Sequence, residues 1–270
     1  MPTPRTHHVR SRDGTVIGYH SSGSGPPLLL VHGSLGDHTR WDALRPHLEP
    51  HRTVHAMDRR GRGASGDAAR YDIAAEYDDV AVVIDAIADR ADSPVEVYCS
   101  SFGGVCTLGA AAHTDAIARL ALYEAWPPVH PEAFGTPHEL VRRMEELVAA
   151  GRREEALDLA YREVVGLTSA EVATLRAQPS WQNRLDAVHT VPREMRAFDA
   201  VRFDPEIAAR IDAPTLVVTG SESADWGPEG PTVAAAFPNG QLVVLDGQGH
   251  AADVLTPHLV ADTLLRFLEP

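Results

Sequence analysis

Short, mostly apolar runs alternate with stretches of helical periodicity along most of this chain. That alternation restricts the fold to a mostly parallel sheet covered by helices on both faces, because only a strand buried on both sides reads as continuously apolar. Such runs occupy residues 28–31, 54–57, 95–99, 117–123, 215–219 and 241–245. Between them, residues 73–87 place Val80, Val83, Ile84 and Ile87 on one helical face, and 103–112 reads as a small-residue helix. Trp41, Leu44 and Leu48 also recur at helical spacing, and 233–237 and 259–268 suit helices packed on the last strands. Residues 7–10 and 15–20 are expected to form a hairpin closed by Asp13-Gly14.

The rhythm stops after Pro127-Pro128. From 137 to 200 the periodicity is helical and no convincing strand occurs; Leu140, Met144, Leu147 and Val148 mark one helix, and Ala156, Leu159, Ala160 and Val164 the next. Residues 181–188 and 193–198 suggest two more. The chain is therefore expected to divide into a first α/β part (1–126), a helical insert (127–205) and a second α/β part (206–270), with no internal repeat.

Composition excludes several chemistries. All 24 cationic side chains of this 270-residue chain are arginine. Without lysine there is no Schiff-base, pyridoxal-phosphate or P-loop NTPase chemistry, each of which needs a lysine nitrogen. The 38 acidic residues bring the net charge to −14. Such a surface repels phosphate backbones and anionic membranes, so neither nucleic acid nor membrane is an expected partner. No apolar run reaches the length of a membrane span, and the first residues offer no signal-peptide core, so the expected compartment is the cytoplasm. Cys99 and Cys106 read as small buried residues rather than a disulfide or a zinc pair. His47, His51 and His55 cannot share a helix face across Pro46 and Pro50, and no metal-ligand motif occurs, so no metal is expected.

Three turns carry chemistry. Cys99-Ser100-Ser101-Phe102-Gly103-Gly104 joins an apolar strand to a small-residue helix. A serine on so tight a turn is held in a strained conformation with its hydroxyl exposed. The residues two before and two after it must be small, which selects Ser101 (Cys99 and Gly103) over Ser100 (Tyr98 and Phe102). The usual G-x-S-x-G pattern has glycine where Cys99 stands. His32-Gly33-Ser34-Leu35-Gly36 can present the Ser34 N–H to the same centre, where with the N–H of Phe102 it would hold an oxyanion. Gly247-Gln248-Gly249-His250 follows a strand and can bring an imidazole to the sheet's C-terminal edge. The charges of Asp58-Arg59-Arg60-Gly61-Arg62-Gly63 are read as braces for a turn.

Taken in order, the His32-Gly33 turn, the 58–66 segment, the Ser101 turn and His250 make the sequence resemble the α/β-hydrolase superfamily over nearly its whole length. The resemblance implies an α/β-hydrolase fold with a helical cap at 127–205, a Ser101 nucleophile, a His250 base and no cofactor. In most of the family the acid follows the seventh strand, three residues after a glycine; here Gly220 leads to Ser223. Some relatives, notably some haloalkane dehalogenases, carry the acid at the end of the sixth strand, which here is Glu124. Glu124 is the first choice, followed by Asp225 and Glu222.

The expected activity is hydrolysis of a small or medium-sized ester or lactone through an acyl-enzyme on Ser101. Serine in place of aspartate on the turn argues against epoxide hydrolase and haloalkane dehalogenase chemistry. Two alternatives stay open: the same triad applied to carbon–carbon hydrolysis, perhydrolysis or lyase chemistry, and a small-molecule binding protein without turnover. Trp126, Trp181 and Trp226 are candidates to line a pocket under the cap. Oligomeric state is not legible.

Overall fold

The computed structural model describes residues 4–130, 137–223 and 226–269. An eight-stranded sheet runs through it in the order β1-β2-β4-β3-β5-β6-β7-β8, with β1 Arg5–Arg10, β2 Val16–Gly23, β3 Pro27–Val31, β4 Thr53–Met57, β5 Val95–Ser100, β6 Ile117–Tyr123, β7 Thr215–Gly220 and β8 Gly240–Leu245. The β1–β2 and β2–β4 pairs are antiparallel, and from β4 to β8 every pairing is parallel. The expected hairpin forms, with Asp13 Oδ1 accepting the Thr15 N–H at 2.9 Å.

The inner strands β3 to β7 are mostly buried because each feeds two cores at once, whereas the edge strand β8 leaves Val244 exposed. Leu29, Val31, Val97 and Leu122 face the cluster that includes Val80, Val83 and Ile84 of the helix Ile73–Ala91. Their neighbours Leu28, Leu30, Tyr98 and Tyr123 face the opposite cluster, with Val260 and Leu264 of the helix Pro257–Leu268. Period-two alternation thus sends successive apolar residues to opposite faces. Each fully buried leucine contributes about 1.5–3 kcal/mol.

Trp41, Leu44 and Leu48 are all buried in the second cluster, yet no continuous helix carries them: Trp41 ends a short 3₁₀ turn, His38–Trp41, and Leu44 precedes the single helical turn Arg45–Leu48. Asp37 caps that first turn by accepting the Thr39 N–H, and Pro46 sits in the first turn of the second.

Between β6 and β7 the described residues are helical, without a strand. These helices build a third apolar cluster from Val141, Met144, Leu157, Tyr161 and their neighbours. Leu35, Ala251 and Val254 of the α/β part join it, so the insert sits over the turns that leave β3 and β8. One helix here, Ser169–Arg176, falls outside the periodic stretches; its sequence signal is the capping box Thr168–Glu171, a T-x-x-E pattern.

Candidate active site

Ser101 opens the turn between β5 and the helix Phe102–Ala110 with φ 54° and ψ −134°. A left-handed φ at a non-glycine residue costs on the order of 1–3 kcal/mol, a cost carried by the packing around it. That packing explains the small residues. A Cβ on Gly103 would lie 2.4 Å from the Val31 carbonyl oxygen, and one on Gly33 would lie 2.7 Å from Ser101 Cβ. The His32-Gly33-Ser34 turn therefore lies directly against the serine. Cys99, where glycine is usual, is fully buried, and burial pushes its thiol up to about 12. The Cys106 thiol is pushed up as well, so neither is a nucleophile at neutral pH.

Glu124 leaves β6 one residue after Tyr123, which pairs in register with Ser100 of β5. Ser101 and Glu124 thus emerge side by side from neighbouring strands, linked by the Ser101 N–H donating to the Tyr123 carbonyl at 3.1 Å. Glu124 also has a left-handed backbone, φ 45°, and its side chain is fully buried. Its Oε1 accepts the Gly220 N–H at 2.7 Å and its Oε2 meets His250 Nδ1 at 2.6 Å. A carboxylate can only accept, so Nδ1 is the donor, and in the neutral imidazole Nε2 keeps its lone pair. No described residue hydrogen-bonds that Nε2.

The His250 loop is tied to the sheet at several points. Tyr123 Oη donates to the Gly249 carbonyl at 2.5 Å, the Glu222 N–H to the Gln248 carbonyl at 2.9 Å, and the Gly247 N–H to Ser221 Oγ at 2.8 Å. Trp226 stacks on the imidazole, ring centroids 5.4 Å apart and planes 13° from parallel. Trp126 of the α/β part and Phe198 of the insert pack on Trp226 in turn. Trp181 is elsewhere: it stacks on Tyr161 inside the insert. Among the alternative acids, Glu222 is exposed and Asp225 lies outside the described residues.

Ser34 sits on the turn that Gly33 presses against Ser101, and Phe102 is the first residue of its helix, where the N–H has no intrahelical acceptor. Beneath this turn lies a buried charge network that the sequence shows only in part. Arg59 donates to Glu76 through Nε at 3.0 Å and Nη2 at 2.6 Å, and also to Glu194 at 2.8 Å. Arg62 pairs with Glu194 as well, and Arg60 with Asp79. The bracing role read for residues 58–66 is what these bonds perform. Burial pushes the Glu194 carboxyl up, but Arg59 and Arg62 outweigh it and hold it below the usual carboxylate range. Nothing in the sequence singles out Glu194, because its partners lie more than a hundred residues away.

One cluster among the described residues has donors suited to a metal: His20, His38 and Asp58. The two imidazoles stack at 3.7 Å with planes 26° apart, and each turns a ring nitrogen to the Asp58 carboxylate. Asp58 already accepts two ring N–H groups and the backbone N–H groups of His38 and Ala64. The cluster is a brace for the turn after β4.

Residues 28–263 match the model of the alpha/beta hydrolase family. The chain belongs to that family. An alpha/beta hydrolase of known structure from Sphaerobacter thermophilus is 34% identical, with a TM-score of 0.83 over 97% of this chain and 100% of that one. A thermophilic esterase from Thermogutta terrifontis superposes with a TM-score of 0.75 at 26% identity, covering 98% of both chains. A non-heme haloperoxidase of Rhodococcus erythropolis is 28% identical over 97% of this chain and 98% of its own length. These likenesses support hydrolase activity for this alpha/beta hydrolase. Among the described residues, no helix is long and apolar enough to cross a membrane.

Proposed function

We propose that this alpha/beta hydrolase is a serine esterase that cleaves a small or medium-sized ester or lactone through an acyl-enzyme. The observation that carries the reading is the left-handed Ser101 held between the Gly33 turn and the strand end that bears the buried Glu124, itself bonded to His250.

His250 Nε2 takes the Ser101 proton as Oγ attacks the ester carbonyl. Glu124 fixes the imidazole tautomer and stabilises the imidazolium. The N–H groups of Ser34 and Phe102 hold the oxyanion. The imidazolium then gives its proton to the leaving alkoxide, and the carbonyl re-forms as the acyl-enzyme. Water, deprotonated by His250, releases the acid and restores the serine. The triad needs no cofactor and no metal. The insert at 127–205 acts as a cap, and its Phe198, with Trp226, makes an apolar wall beside the imidazole.

Labelling with a fluorophosphonate, read by intact mass, tests this. A single adduct that disappears in Ser101→Ala is the expected result; no adduct on folded protein overturns it. The relative named a haloperoxidase motivates a second reading, perhydrolysis, in which hydrogen peroxide replaces water at the acyl-enzyme and leaves as a peracid. Peracid formation from ester and peroxide that outpaces hydrolysis would favour it.

A further inference from the structure

Several polar contacts converge on the peptide unit between Gly33 and Ser34. The Gly33 carbonyl accepts hydrogen bonds from Arg59 Nη1 at 3.2 Å and from His32 Nδ1 at 2.7 Å. The His32 assignment follows from its other nitrogen, Nε2, which accepts the Arg59 backbone N–H at 3.2 Å. Burial, followed by the charges of Arg62 and Arg59, drives the His32 pKa well down, so the ring is neutral and Nδ1 alone carries a proton. The Gly33 C=O and the Ser34 N–H belong to one planar unit, so fixing the carbonyl fixes where the N–H points. Hydrogen bonds to the carbonyl also polarise the N–H on the far side.

The other end of this assembly belongs to the insert. Glu194 lies on the helix Val191–Ala200 and accepts the Ser34 hydroxyl at 2.6 Å through Oε2. Its Oε1 takes Arg59 and Arg62. The Arg59, Glu76 and Glu194 side chains are fully buried. The Arg59 guanidinium also lies over the Phe102 ring, 4.8 Å from its centre, so one side chain touches both Phe102 and the Gly33 carbonyl of the peptide that carries the Ser34 N–H.

We propose that Arg59 and Glu194 are positioning residues: Glu194, through the Ser34 hydroxyl and Arg59, locks the Gly33–Ser34 peptide in the orientation that aims the Ser34 N–H at the reacting carbonyl. The seating of the helical insert thereby sets the geometry of the oxyanion hole. This rests on the serine esterase reading above.

The test compares matched ester and thionoester substrates in the wild type, Ser34→Ala, Glu194→Gln and Asp67→Asn. Sulfur accepts hydrogen bonds poorly from a rigid donor pair, so the ester-to-thionoester rate ratio reports the hole itself. Ser34→Ala keeps the backbone N–H and removes only the link to Glu194. Asp67→Asn weakens the Arg193–Asp67 pair, which joins the same helix to the loop after β4 without touching the turn. Ser34→Ala and Glu194→Gln are expected to lower kcat roughly 10-fold or more, with KM changed less than about twofold and the ratio falling toward one. Asp67→Asn keeps the wild-type ratio. An unchanged ratio in Ser34→Ala, or an equal fall in Asp67→Asn, overturns the proposal, and Ser34→Ala decides alone if Glu194→Gln does not fold. The backbone amide resonance of Ser34 gives a readout independent of turnover: it must move more in Glu194→Gln than in Asp67→Asn. If the wild type turns over no ester and takes no adduct, the Ser101 reading falls, and equal movement of that amide in the two variants still overturns the positioning role.

Discussion

Buried without partners, a carboxylate such as Glu124 would cost several kcal/mol; here the Gly220 N–H and the His250 ring share it. Glu124→Gln keeps the shape but loses the charge and can hold the wrong imidazole tautomer. We expect kcat to fall roughly 10³–10⁴-fold, while the exposed Glu222→Gln stays near wild type, as steady-state ester kinetics would show. The opposite ranking would move the acid to Glu222. His55 yields a pH prediction. Burial, then the charges of His7 and Arg90, lowers its pKa from 6.5 to about 4, so the folded protein holds it neutral. The unfolded chain takes the proton first. The His55 contribution is therefore complete above about pH 6.5 and is lost as pH falls toward 4. Thermal midpoints at pH 7 and pH 4.5 should differ less in His55→Gln than in the wild type. Ser101 is legible in the sequence because the crowding that excludes Tyr98 and Phe102 from the flanking positions is local. Glu194 is not, because a glutamate on a helix reads the same whether it faces solvent or two buried arginines.

The strand–turn–helix around Ser101 is the element on which the site depends, and its tolerance is set by backbone approach. Gly103→Ala would place a Cβ 2.4 Å from the Val31 oxygen, a backbone atom that cannot swing aside. A loss of about 3 kcal/mol or more is expected in urea unfolding. Gly151 has φ +72° and no atom within 4 Å of the place a Cβ would take, so Gly151→Ala should cost only the left-handed backbone preference, about 1–2 kcal/mol. Elements with a strong period are readable: β6 spans residues 117–123 as expected, and the helix expected at 73–87 runs Ile73–Ala91. The segment carrying Trp41, Leu44 and Leu48 is readable only as buried, since it folds as two short turns, the first started by the Asp37 cap and the second holding Pro46 in its first turn.

At the scale of the molecule, the sheet separates two cores, and the insert adds a third that draws in Leu35, Ala251 and Val254 from the α/β part. Shared packing of this kind couples the insert to the sheet. Leu157→Ala, at a fully buried position in the insert, is expected to cost about 2–5 kcal/mol and to shift one calorimetric transition without splitting it. Two separate transitions would show that the insert folds independently of the site it covers. The helix bearing Glu194 is part of the same coupling, because its polar face docks on Ser34 while Val191 and Met195 enter the third core.

Apolar period, residue size at the Ser101 turn and the order of the turns were enough to determine a parallel α/β sheet with an inserted helical segment and to single out Ser101 and His250. Each of those signals acts over a few residues, so it survives in one dimension. The family resemblance puts Glu124 first among three candidate acids, but its contact with His250, 126 residues away, and the docking of Glu194 on Ser34, 160 residues away, came only with the packed chain. A carboxylate's role depends on which cation or N–H it meets once water is excluded, and that meeting is decided by how strands and helices stack, not by the residues beside it.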